Sequence, residues 1–160
     1  MQKLKSNTFN LRPNKGFTLI ELLVVIAIIG VLTSISVLFL SEAREKSRDA
    51  RRFEDIKQIQ NALELYSADR HSLYPSGNTF IELTAGDYIR VIPNDPLNIG
   101  AHLYSYQGTD ALGNACSSGL CTSYVLKTVL EQDTQQALKV DIDGTLAGMD
   151  CADPAFCVIP

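Results

Sequence analysis

From position 17 to position 40 the chain is almost unbroken in apolar side chains. Glu21 is the single ionisable residue there, and Thr18, Gly30, Thr33, Ser34 and Ser36 are mild interruptions. As an α-helix this stretch would run about 36 Å, enough to cross a hydrocarbon layer about 30 Å thick with some tilt. Beyond it, Ala50, Phe53, Ile56, Ile59, Leu63 and Tyr66 recur at intervals of three or four, while Arg44, Arg48, Arg51, Glu54 and Lys57 occupy other faces. That period predicts an amphipathic helix lying on a globular head. The nearest turn signals are at 14–16 and 72–77, so one helix of roughly 50 residues, about 80 Å long, is expected.

Residues 71–100 are punctuated by Pro75-Ser76-Gly77-Asn78, Gly86-Asp87 and Pro93-Asn94-Asp95-Pro96. This reads as a connecting loop with one short helix near 80–84. Three short alternating runs, 103–107, 124–131 and 137–142, predict strands, and in the third Leu138, Val140 and Ile142 share a face. A lone hairpin is marginal in water, so a three-stranded antiparallel sheet packed on the helix is the economical α+β solution.

With 160 residues the chain holds one domain plus an appendage, and its 46% apolar and 20% charged composition excludes wholesale disorder. Charge is distributed unevenly. Residues 1–16 carry Lys3, Lys5, Arg12 and Lys15 without an acid, whereas acids outnumber bases over 71–160. The basic flank places residues 1–16 in the cytoplasm and the C-terminal part outside. In 41–70 the two signs balance, and Arg44, Arg48, Arg51 and Arg52 interleave with Glu42, Glu45, Asp49, Glu54 and Asp55. Those arginines read as a solvated face, and no direct nucleic-acid site is evident. An ordinary cleaved secretory signal fits poorly, because charged Ser41-Glu42-Ala43-Arg44-Glu45-Lys46 follows the apolar run where a small-residue cleavage site would stand.

A carboxylate in hydrocarbon costs several kcal/mol and calls for a partner. Cleavage between Gly16 and Phe17 would create an amine four residues before Glu21, able to neutralise it within the chain or on a neighbour. A glutamate near enough to the interface to reach water is the competing account. The run Lys15-Gly16-Phe17-Thr18-Leu19-Ile20-Glu21-Leu22-Leu23-Val24-Val25-Ile26-Ala27-Ile28-Ile29-Gly30 resembles the class III signal of type IV pilins and type II secretion pseudopilins. The resemblance implies that a membrane aspartyl peptidase cuts after Gly16 and methylates Phe17, and that Glu21 recruits the subunit by pairing with a neighbour's terminal amine. Arg48 to Arg52, Asp55 to Tyr66, Tyr74-Pro75 and the Asn94-Asp95-Pro96 linker are similar to the head of the major pseudopilin of type II secretion, which extends the likeness over about the first half of the chain. One departure is the lack of a proline between Pro13 and Pro75; Gly30, Thr33, Ser34 and Ser36 mark the weakest helical stretch, the candidate for loosening in a filament.

All four cysteines, Cys116, Cys121, Cys151 and Cys157, fall on the side placed outside the cytoplasm, where disulfides persist. Their spacings do not suit a zinc knuckle, and His71 and His102 are distant in sequence. Of the three connectivities, the local pairs Cys116 with Cys121 and Cys151 with Cys157 need the least chain rearrangement. Asp141-Ile142-Asp143-Gly144, followed by Asp150 and Asp153, offers hard oxygens for calcium, although the full twelve-residue calcium loop is absent and a plain Asp-Gly turn ending a strand accounts for the same residues. Type II major pseudopilins bind calcium in a C-terminal loop, so the resemblance implies calcium as the cofactor to test. No nucleophile elbow, phosphate loop or paired histidine motif accompanies these groups, and no enzyme is expected.

The expected organisation is a leader at 1–16, a transmembrane and filament-core helix at 17–40, an amphipathic head helix at 41–70 and a globular head at 71–160. The expected function is that of a structural subunit of a type IV pilus-like filament, held as a single-pass membrane protein with its N-terminus in the cytoplasm before assembly into an extracellular or periplasmic filament. Its partners would be further copies of itself, the prepilin peptidase, the membrane assembly platform and the membrane. Two alternatives are a type II secretion pseudopilin forming a short export piston, and an uncleaved membrane-anchored calcium-binding domain.

Overall fold

The computed structural model describes residues 16–118 and 121–160, the side chains of 35–38 excepted; all of the expected leader except Gly16 lies outside the described residues. Helix α1, Leu19–Asp69, contains both the apolar run and the amphipathic stretch. In its first part the described side chains are exposed, as an apolar segment without a lipid or protein neighbour must be. An 18-residue window of α1 is apolar enough to cross a membrane. The stretch around Gly30 stays helical: the Thr33 hydroxyl donates to the Ile29 carbonyl and the Ser34 hydroxyl to the Val31 carbonyl, so these polar groups are satisfied on their own helix.

Residues 41–160 form a separate compact unit. After α1 come α2 (Ile81–Ala85), β1 (Ser105–Thr109), β2 (Ser123–Val129), a 3-10 turn (Gln136–Lys139), β3 (Thr145–Leu146), β4 (Met149–Asp150) and β5 (Ala155–Val158). The main sheet runs β1-β2-β5, antiparallel throughout, with Tyr106 opposite Leu126 and Lys127 opposite Cys157; β3 and β4 form a separate hairpin. Alternation along β2 sorts its side chains. Tyr124 and Leu126 join Ile56, Ile59, Leu63 and Tyr66 of α1 and Leu83 of α2 in the main core, whereas Val125 turns to the other face against Cys151 and Cys157. Edge-to-face stacking of Tyr74 on Tyr124, centroids 4.9 Å apart, ties the residues after α1 to the sheet. Gly108 is required where the chain crosses β1: a Cβ there would stand 2.5 Å from the Pro75 carbonyl oxygen.

Two sequence expectations need correction. The run 137–142 is not the third strand: it is the 3-10 turn and its exit, with Leu138 buried but Val140 81% exposed. β5 takes its place, four residues in which Ala155 and Cys157 point inward. The second concerns Arg52, which is fully buried and not part of a solvated face. Its Nε lies 2.6 Å from Asp95 Oδ2, and its Nη1 2.7 Å from both Asp49 Oδ1 and Glu131 Oε1. Asp49, also buried, accepts the backbone N–H groups of Glu131 and Gln132, and Asp95 accepts that of Leu97. Three carboxylates around one guanidinium thus tie helix, linker and the end of β2 together. Burial opposes the arginine's charge, but the hydrogen bonds to Asp95, Glu131 and Asp49 outweigh it and hold the guanidinium more firmly protonated than usual.

Candidate functional site

The residues predicted to carry function lie at two places, one in each unit. At the start of α1, Gly16 and Phe17 are exposed, Phe17 to 86%. Thr18 precedes the first helical residue, and its backbone N–H and hydroxyl both donate to Glu21 Oε2, at 2.9 and 2.8 Å; the Glu21 N–H in turn approaches the Thr18 hydroxyl oxygen at 3.3 Å. This reciprocal arrangement is a capping box, in which a threonine and a glutamate three residues later satisfy each other's orphan N–H groups. The acid of the apolar segment therefore has a partner within its own chain. The Thr-x-x-Glu spacing carried that signal, and reading Thr18 as a mere interruption of an apolar run missed it.

The second place is the C-terminal part of the head. Cys116 is bonded to Cys121 and Cys151 to Cys157. The second bridge closes a loop that brings Asp153 beside Asp141 and Asp143: one carboxylate oxygen from each lies within 4.8 Å of the others. Among the described residues this is the group able to hold a metal ion. Asp150 stands apart, capping the N–H of Ala152. Asp141 Oδ2 accepts the Cys157 N–H at 3.0 Å, whereas Oδ1 is buried with no hydrogen-bond partner. Burial, reinforced by Asp143 and Asp153, raises the Asp141 carboxyl above its usual range.

These residues fit a calcium ion on three grounds. Oxygens bound to one calcium at about 2.4 Å are at most about 4.8 Å apart. Three clustered carboxylates repel one another until a cation neutralises them. The buried Asp141 Oδ1 needs a positive or hydrogen-bonding neighbour. Zinc coordination by cysteine has no basis here, since all four thiols are consumed in bridges.

Residues 11–37 match the family described as prokaryotic N-terminal methylation motif. The chain is similar to type II secretion system core protein G of Escherichia coli (strain K12), 38% identical over 96 residues that make up 51% of this chain and 66% of that relative. It is 33% identical to the protein of the same name from Vibrio cholerae over 54% of this chain and 67% of that relative, and 34% identical to that of Pectobacterium carotovorum over 55% and 69%. The chain thus spans about two thirds of the length of the relatives it matches. No solved structure matches it.

Proposed function

Since the chain belongs to the family of type II secretion system core protein G, we propose that it is a processed filament subunit in which Glu21 exchanges its partner during assembly. The apolar part of α1 stores the subunit in the membrane, with residues 1–16 in the cytoplasm and the head outside. Before assembly Thr18 satisfies Glu21 in cis, so the acid does not sit unpaired in hydrocarbon. Cleavage after Gly16 exposes the Phe17 amine, which is then methylated. As helices bundle, Glu21 pairs with the amine of an adjoining subunit, a charge-assisted contact stronger in a low-dielectric core than a hydroxyl bond.

The single observation that carries this reading is the match of the methylation motif to the helix start at which Glu21 is the sole ionisable residue. The partners that follow are further copies of the chain, the prepilin peptidase and the membrane assembly platform. Between the two filament roles, the names of the relatives favour the secretion pseudopilin over a surface pilus. We further assign Asp141, Asp143 and Asp153 as ligands of a calcium ion, which would neutralise three acids and fix the C-terminal loop.

Substituting Glu21→Val tests the assembly reading. The expected result is a subunit that accumulates in the membrane, still cleaved and methylated at Phe17, with filaments absent by electron microscopy and exported proteins retained in the cell. Filaments of normal length and yield in that strain would refute it.

A further inference from the structure

The Cys151–Cys157 bridge and the acidic cluster share their supporting bonds. Each half-cystine donates its backbone N–H to the turn that bears Asp141 and Asp143: Cys157 to Asp141 Oδ2 at 3.0 Å, and Cys151 to the Gly144 carbonyl oxygen at 2.7 Å. Asp153 lies inside the loop that the bridge closes. Beside the β5–β2 pairing and the Lys127 Nζ bond to the Asp150 carbonyl oxygen, apolar packing here is thin. The core on that face of the sheet consists of buried Val125, Cys151 and Cys157, with Leu146, Ala147 and Met149 only partly covered. β5 keeps Cys157 opposite Lys127 in either state, so opening the bridge releases Cys151 from its sulfur anchor and frees the segment that presents Asp153.

We propose that Cys151–Cys157 is a redox control on cation binding: the closed bridge sets the affinity of Asp141, Asp143 and Asp153 for a divalent cation, and the bound cation in turn protects the bridge from reduction. The inference rests on the calcium reading above. In forming the bridge, two thiols give one S–S bond, two protons and two electrons, the electrons passing by thiol–disulfide exchange to a disulfide-bearing oxidant outside the cytoplasm, which becomes a dithiol. Both sulfurs are fully buried, so oxidation belongs before the loop closes over them, and cation loading after it. Because binding free energies are reciprocal, the factor by which the bridge raises cation affinity equals the factor by which the cation favours the bridge. Cys116–Cys121 is held by hydrogen bonds to Tyr74, Gly77 and Gly108, away from the acid-bearing turn, and serves as an internal reference.

The test uses the full chain in detergent, equilibrated in glutathione redox buffers with and without calcium chloride, then alkylated and read by peptide mass spectrometry. The expected result is a shift of the Cys151–Cys157 equilibrium toward the disulfide by about tenfold, or about 30 mV, at saturating calcium. The Cys116–Cys121 equilibrium should not move, and Asp143→Asn should abolish the shift. Calorimetry of the oxidised chain with calcium separates the two layers. If calcium binds, and binding is lost in Asp143→Asn, yet the bridge reduces equally with and without it, the redox link is overturned and the calcium reading stands. An oxidised chain that binds no calcium overturns both. A shift of both bridges alike overturns the link, because it would report general stabilisation of the head.

Discussion

Among single residues, Arg52 has the largest structural consequence outside the apolar core. Arg52→Ala would strand Asp49 and Asp95 as buried, unpaired carboxylates; the expected loss is about 3–5 kcal/mol, measured by denaturant unfolding of the full chain in detergent. Arg52→Lys should recover little of it, because an ammonium cannot reproduce the paired Nε and Nη2 contacts to Asp95. Arg48 is more exposed and shares Glu131 with Arg52, so Arg48→Ala should cost much less than Arg52→Ala in the same measurement. The same carboxylate sets an acid limit. Hydrogen bonds from Arg48, and then from Arg52, hold Glu131 at about 2 against an ordinary 4.5. A carboxyl depressed in the folded state contributes stability above its unfolded pKa and loses it as pH falls through the folded one. Stability should therefore decline from about pH 4.5 toward 2, and Arg48→Ala should flatten that slope in pH-dependent unfolding.

At the scale of elements, sequence and structure part company in instructive ways. α1 was legible from its unbroken apolar run, and the stripe from a 3.6-residue period over 50–66, of which Ile56, Ile59, Leu63 and Tyr66 are buried while Phe53 is half-buried and Ala50 exposed. β1 and β2 were legible to within a few residues for the same reason at period two. β5 was not. Four residues after a proline carry almost no periodic signal, and what makes Ala155–Val158 a strand is its pairing with β2 and the bridge from Cys157. The pattern at 137–142 was misleading because Leu138, Val140 and Ile142 alternate without a neighbouring strand to pair with, and Gly144, at φ +96°, turns the chain into the β3–β4 hairpin. β1 owes its position to a different feature. Gly108→Ala forces a Cβ to within 2.5 Å of the Pro75 carbonyl oxygen, where backbone must move; the expected cost is about 1–3 kcal/mol, read as a lowered unfolding midpoint.

For the whole molecule, processing and oxidation can be read together. Intact mass of the native protein should show a chain that begins with N-methylated Phe17 and is four hydrogens lighter than its fully reduced form, two for each bridge. A mass beginning at Met1 would favour the uncleaved anchor instead. At this scale the family was visible in the sequence, because the methylation motif depends on one contiguous run in which hydropathy, a glycine and a single acid occur in fixed order. Two of the three acids of the candidate cation site were visible as a pair too, since Asp141 and Asp143 are separated only by Ile142.

What the chain determined by itself is whatever local order can encode: the apolar run, the amphipathic stripe, the Thr18-to-Glu21 spacing and the alternation along β2. What only the tertiary structure decided is whatever joins residues distant along the chain. Arg52 became a buried hub because Asp95 and Glu131 come to it from 43 and 79 positions away, and Asp153 joined the acidic cluster because a disulfide and two backbone hydrogen bonds fold its loop onto Asp141. Periodicity reports the burial of apolar surface, which repeats along an element. The pairing of buried charges does not repeat, and it becomes readable only once the partners are in place.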